Sequence, residues 1–206
     1  MAGTMPHAIF VETGLDGGTT VAAYAAELPG CATFAAGDSD AVAAIPRRVQ
    51  HFTEWLRRNG ETVPAFIGDN WYEVERAACD GTPLGRAAFS LDELPPSDDE
   101  WRRWLRWLEL AREELAEAID GGNLDQMSGD AALTGIADQD IALIRSLGRE
   151  PADTGNDPTD RFYGARDALS QTLEAGGPTA EGARRALRLA IADDLRLADR
   201  LRGDEG

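Results

Sequence analysis

The chain has 206 residues, with 37 Asp and Glu against 20 basic residues, every one of them arginine, for a formal charge of −17. That length suits two small domains, each able to bury its own core. The charge repels phosphate backbones unless the basic residues gather on one face, which disfavours nucleic acid as a partner.

No run of about 18 apolar residues occurs, and Met1 to Phe10 has neither a basic region nor an extended apolar stretch, so a cytoplasmic protein with no membrane segment is expected. The lysine-free, Asp-rich composition fits either a GC-rich coding bias or solubility at high salt; the second predicts stability that rises with KCl. Cys31 and Cys79 form no CxxC pair and are expected to be small buried hydrophobes.

In chain order, His7 to Thr13 reads as a strand, Asp16-Gly17-Gly18 as a turn tolerant of positive φ, and Thr20 to Ala26 as the returning strand. Leu28-Pro29-Gly30 breaks it, and Cys31 to Ala35 resumes extended character. Ser39 or Asp38 is placed to cap a helix from Asp40 to Arg58, stopped by Asn59-Gly60. Val42, Ile45, Val49, Phe52 and Leu56 give it one apolar face. Pro46 predicts a kink or a late start.

After the turn at Thr62-Val-Pro64, Asn70 to Arg76 is a further strand. Asp80 to Asp99, with Pro83, Pro95 and Pro96, is an interdomain connection. The expected domains are therefore 1–96 and 97–206.

Four helices follow. One runs from a cap at Ser97 or Asp98 to Ile119, ended by Gly121-Gly122. Another runs from Ser128 or Asp130 to Leu147, ended by Gly148. A third opens at Asp157-Pro158 and ends at Glu174, and the last spans Pro178-Thr179 to Leu201. Short connections favour a four-helix bundle of antiparallel neighbours, and the longer stretch from Gly148 to Pro158 has room for a crossover. The fold class expected is α+β, a sheet carrying one helix and then an all-α bundle.

Tyr24, Leu28-Pro29-Gly30-Cys31, Gly37-Asp38, Ala41, the helix end Leu56 to Gly60 and Val63-Pro64 together resemble the HicB family of antitoxins. The resemblance covers roughly residues 7 to 75. It implies a reduced RNase H-like sheet that binds and covers a HicA-like ribonuclease toxin, with Tyr24, Leu28, Pro29, Cys31 and Phe34 as partner-contact candidates. For the residues by themselves a bend at Pro29-Gly30 with Cys31 packed beneath it is a sufficient reading, and the preferred one.

Ile136-Ala-Asp138, Ser146-Leu-Gly148, the Asp157-Pro158 opening with Arg166 behind it, and Thr179 to Arg188 are similar to DinB-like bundles. That superfamily includes metal-dependent thiol transferases holding a divalent metal with three histidines. The resemblance implies that those ligand positions fall at Gly135, Asp193 and Leu197, with neighbouring acidic positions at Asp140 and Asp194. Glycine and leucine cannot ligate, and no histidine follows His51, so a nitrogen-ligand metal site is not expected. Asp138, Asp140, Asp193 and Asp194 remain as an oxygen-ligand alternative for Mg²⁺ or Ca²⁺, set against an ordinary solvated acidic face.

The run Trp101-Arg-Arg-Trp104-Leu-Arg-Trp107 has the spacing of a core face, and its tryptophans also suit a partner or oligomer contact. There is no GxSxG, P-loop, HExxH or GxGxxG motif, so no catalytic residue and no cofactor is assigned. Three readings follow: a non-enzymatic, antitoxin-like binding protein whose partner is another protein or a second copy in a homodimer; a DinB-like transferase or hydrolase with carboxylate ligands; and a transcriptional autoregulator, which needs a basic recognition element not found in the sequence.

Overall fold

The computed structural model describes residues 7–63, 70–79, 85–121, 126–151 and 155–203, with backbone alone at 126–128. The expected turn at Pro64, the connection around Pro83 and the stop at Gly122 lie outside the described residues, whereas Ser128 and Asp130, expected to open a helix, both lie inside one that already begins at Gln126.

Strands β1 (His7–Gly14) and β2 (Thr20–Ala25) form the hairpin, antiparallel, with Phe10 opposite Tyr24 and Glu12 opposite Ala22. The single turn α1 (Leu15–Gly18) joins them, with Asp16 at φ 51° and Gly17 at φ 72°. These left-handed values suit glycine, and a short polar side chain tolerates them. At the Pro29-Gly30 bend the Leu28 carbonyl accepts the Cys31 N–H at 2.9 Å, and β3 (Ala32–Ala35) returns antiparallel to β2.

Helix α2 (Asp38–Arg58) begins two residues earlier than the sequence suggests, with extended Gly37 at its N-cap and no side-chain cap. Neither Ser39 nor Asp38 plays the capping role. Pro46 lies inside the helix, which is assigned as one element through it. Ala41 and Ile45 before the proline and Val49, Phe52 and Leu56 after it are all buried, so packing on both sides offsets the lost backbone bond.

Strand β4 (Trp71–Ala78) then pairs parallel to β1, giving the order β3-β2-β1-β4. A parallel return requires a crossover, which α2 supplies. Because cross-strand partners share a face, Ile9, Val11, Ala23 and Thr33 line one side of the sheet and Phe10, Glu12, Tyr24 and Phe34 the other. The Thr33 hydroxyl donates to the Ala41 carbonyl at 2.6 Å, which puts α2 on the first side. On the second side Phe89 stacks on Phe10, ring centroids 4.7 Å apart.

The chain divides into two compact units, Met1–Leu91 and Asp92–Gly206. The division falls a few residues before the expected 96, because Asp92 forms a buried ion pair with Arg188 and the Leu94 carbonyl accepts from Arg184. Both arginines belong to the last helix.

The second unit holds α3 (Asp98–Gly121), α4 (Gln126–Ser146), α5 (Pro158–Gly176) and α6 (Ala183–Arg202). Ser97 and Glu100 form a reciprocal capping box at the start of α3, the Ser97 N–H donating to Glu100 at 2.8 Å and the Glu100 N–H to Ser97 at 3.3 Å. Asp157 caps α5 through the N–H groups of Thr159 and Asp160, with Pro158 in the first turn. The start expected for α6 at Pro178-Thr179 moves to Ala183, because Gly182 adopts a left-handed φ of 76° immediately before the helix.

Side-chain contacts fix the helix directions. Arg184 lies over Trp104 and Arg202 reaches Glu114, so α3 and α6 run the same way. Gln139 meets Asp193 while Leu147 lies beside Gly182, so α4 runs opposite to α6. Asp138 pairs with Arg161, and Ala137 and Ile141 pack with Ala165, so α4 and α5 are parallel. The connection from α4 to α5 is therefore a crossover.

Among the described residues no helix is long and apolar enough to cross a membrane. The cysteines are free: Cys31 is buried, its thiol pushed up to about 12 mainly by burial, and Cys79 is half-buried.

Candidate functional site

The helical unit draws together charged side chains, one or two from each helix: half-buried Arg112 from α3, and buried Asp140 from α4, Arg166 from α5, and Asp193 and Asp194 from α6. Asp140 is 3 % exposed, Arg166 5 %, Asp193 7 % and Asp194 2 %. Charges at such depth persist only when paired and hydrogen-bonded.

The pairing is specific. Arg166 places Nη1 2.6 Å from one oxygen of Asp194 and Nη2 on the other, a fork that matches carboxylate geometry. Its guanidinium also lies 4.3 Å from the centroid of the Phe162 ring one turn earlier. Burial opposes the charge on Arg166, but Asp194 outweighs it and holds the guanidinium's pKa above its ordinary value.

Gln139 donates an amide N–H to Asp193, and Arg112 donates to the Ser170 hydroxyl. Burial, with a smaller push from the like charge of Arg166, pulls the Arg112 pKa down against the opposing pull of Asp194 and Asp140. Asp140 Oδ2 and the Nε and Nη2 of Arg112 have no direct protein hydrogen-bond partner. Burial, partly relieved by Arg166, pushes the Asp140 carboxyl up to about 7. With Asp140 protonated, two arginines face two aspartates and the cluster is neutral.

Three of the four aspartates considered as oxygen ligands are thus brought together. The fourth, Asp138, lies on the exposed side of α4 and pairs with Arg161 at 2.5 Å. Among the described residues no group of three or more His, Cys, Asp or Glu side chains is arranged to hold a metal ion. Both oxygens of Asp194 are already taken by a guanidinium. Gly135 is exposed, with open space beyond its Cα, and Leu197 packs beside the Leu115–Phe162 cluster.

The α/β unit contains a second buried ion. Glu12, fully buried in β1, accepts from Tyr24 Oη at 2.7 Å, from Arg86 Nε at 3.0 Å and from the Ala87 N–H at 2.6 Å. Burial raises its pKa, but Arg86 and these hydrogen bonds outweigh burial and bring the carboxyl below its ordinary value. The segment from Arg86 to Phe89 is tied across the sheet in this way.

Tyr24, Leu28, Pro29 and Cys31, named as partner-contact candidates, are buried side chains, and Phe34 is half-buried. Trp101, Trp104 and Trp107 are buried as well, at 5 %, 4 % and 1 % exposure, in line with the core spacing of α3.

Sequence reading missed Arg112, Gln139, Glu12 and Arg86. Glu12 did carry a signal, a carboxylate directly after the apolar run Ile9-Phe-Val11 within the same strand. The arginines carried none, since each is one among twenty. No family model, curated protein or solved structure matches the chain.

Proposed function

We propose that the protein is a non-enzymatic binding protein, a HicB-like partner-binding unit joined to a DinB-like four-helix bundle in which an internal ion pair stands where a metal centre would be. The observation that carries this reading is the two-pronged contact of Arg166 on Asp194. A guanidinium supplied by the chain neutralises the carboxylate that a cation would otherwise need, and it leaves no open coordination position for a substrate.

The α/β unit supports the reading through its connectivity. A three-strand meander, a crossover helix and a fourth strand parallel to the first make the single-helix sheet that the HicB resemblance implies. Such a unit acts by covering a partner. Free cysteines fit a reducing, cytoplasmic setting.

Calorimetric titration of the full chain with Mg²⁺, Mn²⁺, Zn²⁺ and Ca²⁺ is expected to be flat. A saturable heat with any of them would overturn the scaffold reading of the bundle. Co-expression with a small ribonuclease-like protein encoded beside it is expected to give a stoichiometric complex that no longer cleaves RNA. Continued cleavage in the presence of excess chain would overturn the antitoxin-like role.

A further inference from the structure

Asp92, Asp140, Asp193 and Asp194 are the buried carboxyl groups among the described residues of the helical unit. Arg166 holds both oxygens of Asp194, Arg188 holds both oxygens of Asp92, and Gln139 donates to Asp193. Asp140 is the exception. Its Oδ2 is the one carboxylate oxygen among the described residues that is buried without a hydrogen-bond partner.

Arg112 is the matching anomaly among the cations. It places Nη1 on the neutral hydroxyl of Ser170 and makes no ion pair among the described residues. Its Nε and Nη2 are buried without a partner, and no other described arginine leaves two such donors. A guanidinium bonds a carboxylate more strongly than it bonds a hydroxyl, so the two anomalies are complementary.

The helices bring them within reach of each other. Asp140 lies level with Arg166, since Ala137 and Ile141 on either side of it pack against Ala165. Ser170 follows Arg166 on α5 by four residues, about one turn or roughly 6 Å along the axis. Arg112 therefore changes partner by carrying its guanidinium through about one helical turn, within the range of its own side-chain rotamers. The two side chains already feel each other's charge.

The charges that face Asp140 come from all three neighbouring helices. Arg166 on α5 and Arg112 on α3 favour its ionised form, whereas Asp194 and Asp193 on α6 oppose it; Asp167 on α5 attracts Arg112 in its present position. Arg166 is committed to Asp194 through both terminal nitrogens. An ionised Asp140 is thus left with Arg112 as its available donor. Burial pushes the Asp140 carboxyl up to about 7, so both of its forms are populated near neutrality.

We propose that Arg112 is a two-position switch: it bonds Ser170 of α5 while Asp140 is neutral, and it moves to Asp140 of α4 when that carboxyl ionises. Rising pH then exchanges an α3–α5 tie for an α3–α4 tie inside the bundle. The competing arrangement keeps Arg112 on Ser170 at every pH and satisfies Asp140 Oδ2 with ordered water. Neither arrangement depends on what the protein binds.

The test is Ser170→Ala in the full chain, unfolded in urea at about pH 5.5 and about pH 8.5, on either side of the Asp140 titration. The substitution is expected to raise the unfolding constant about tenfold at the lower pH, where a hydrogen bond to a charged group is lost, and less than about twofold at the higher, where Arg112 has already left. In an Asp140→Asn background the two costs should be equal. Because Ser170 holds Arg112 only while Asp140 is neutral, its removal should also lower the midpoint of the Asp140 carboxyl carbon-13 titration by about one unit.

An equal cost at the two pH values in the otherwise wild-type chain would overturn the switch in favour of the water-bridged arrangement, as would an Asp140 midpoint that Ser170→Ala leaves unmoved or raises. An Arg112 Nε–H resonance of the wild type that stays constant through the Asp140 titration would overturn it as well.

Discussion

Arg166 draws its charge balance from α6, not from its own helix, so its removal exposes what the pair does for the fold. Arg166→Ala leaves the buried Asp194 carboxylate without its counter-ion and is expected to cost about 3–5 kcal/mol in urea unfolding. Replacing both residues with leucine should recover most of that loss, since a well-packed apolar pair avoids the desolvation cost. Asp140 adds a pH dependence. Its folded pKa, about 7, lies above the value of about 4 for an unfolded aspartate. The folded state thus binds the proton more tightly, and this contribution is complete below about pH 4 and lost as pH rises through 7. The wild-type melting temperature should fall between about pH 5 and pH 8, and Asp140→Asn should remove that drift. Glu12 and Glu100, whose pKa values are held low, act in the opposite sense, losing their contribution as acid protonates them.

Among the elements, α3 was the most legible in the sequence. Ser97 three residues before Glu100 is a capping box, and the tryptophan and leucine spacing marks the buried face. Ser97→Ala is expected to lower stability by about 1 kcal/mol in chemical denaturation, with Glu100→Gln retaining part of the cap. The opening of α5 at Asp157-Pro158 was legible for the same reason. The start of α6 was not: Pro178-Thr179 has the composition of a helix opening, but Gly182 in the left-handed region ends the preceding turns and delays the helix. Helix α2 errs the other way, because buried apolar residues on both sides of Pro46 carry the helix across it. Local chemistry places an element's end when a side chain caps it, and tertiary packing decides when none does.

For the whole molecule the dominant quantity is the charge of −17. Mutual repulsion of exposed carboxylates opposes folding and weakens as the screening length shrinks. Thermal unfolding is expected to shift upward from about 0.01 M to about 1 M KCl, and a salt-independent midpoint would show that repulsion plays no part. The sequence by itself determined a two-part chain of α+β class, its hairpin, the Pro29-Gly30 bend and four long helices, since each follows from apolar periodicity and turn chemistry within a few residues. It also determined that Gly135 and Leu197 cannot ligate. The tertiary structure alone decided that β4 returns parallel to β1, that the α4 to α5 connection is a crossover, and that Asp140, Asp193 and Asp194 meet two arginines inside the protein. Those outcomes depend on side chains far apart in sequence that approach only when the apolar faces close, so no local pattern records them. A sequence this rich in aspartate and arginine offers many pairings of equal chemistry, and only packing selects which are buried.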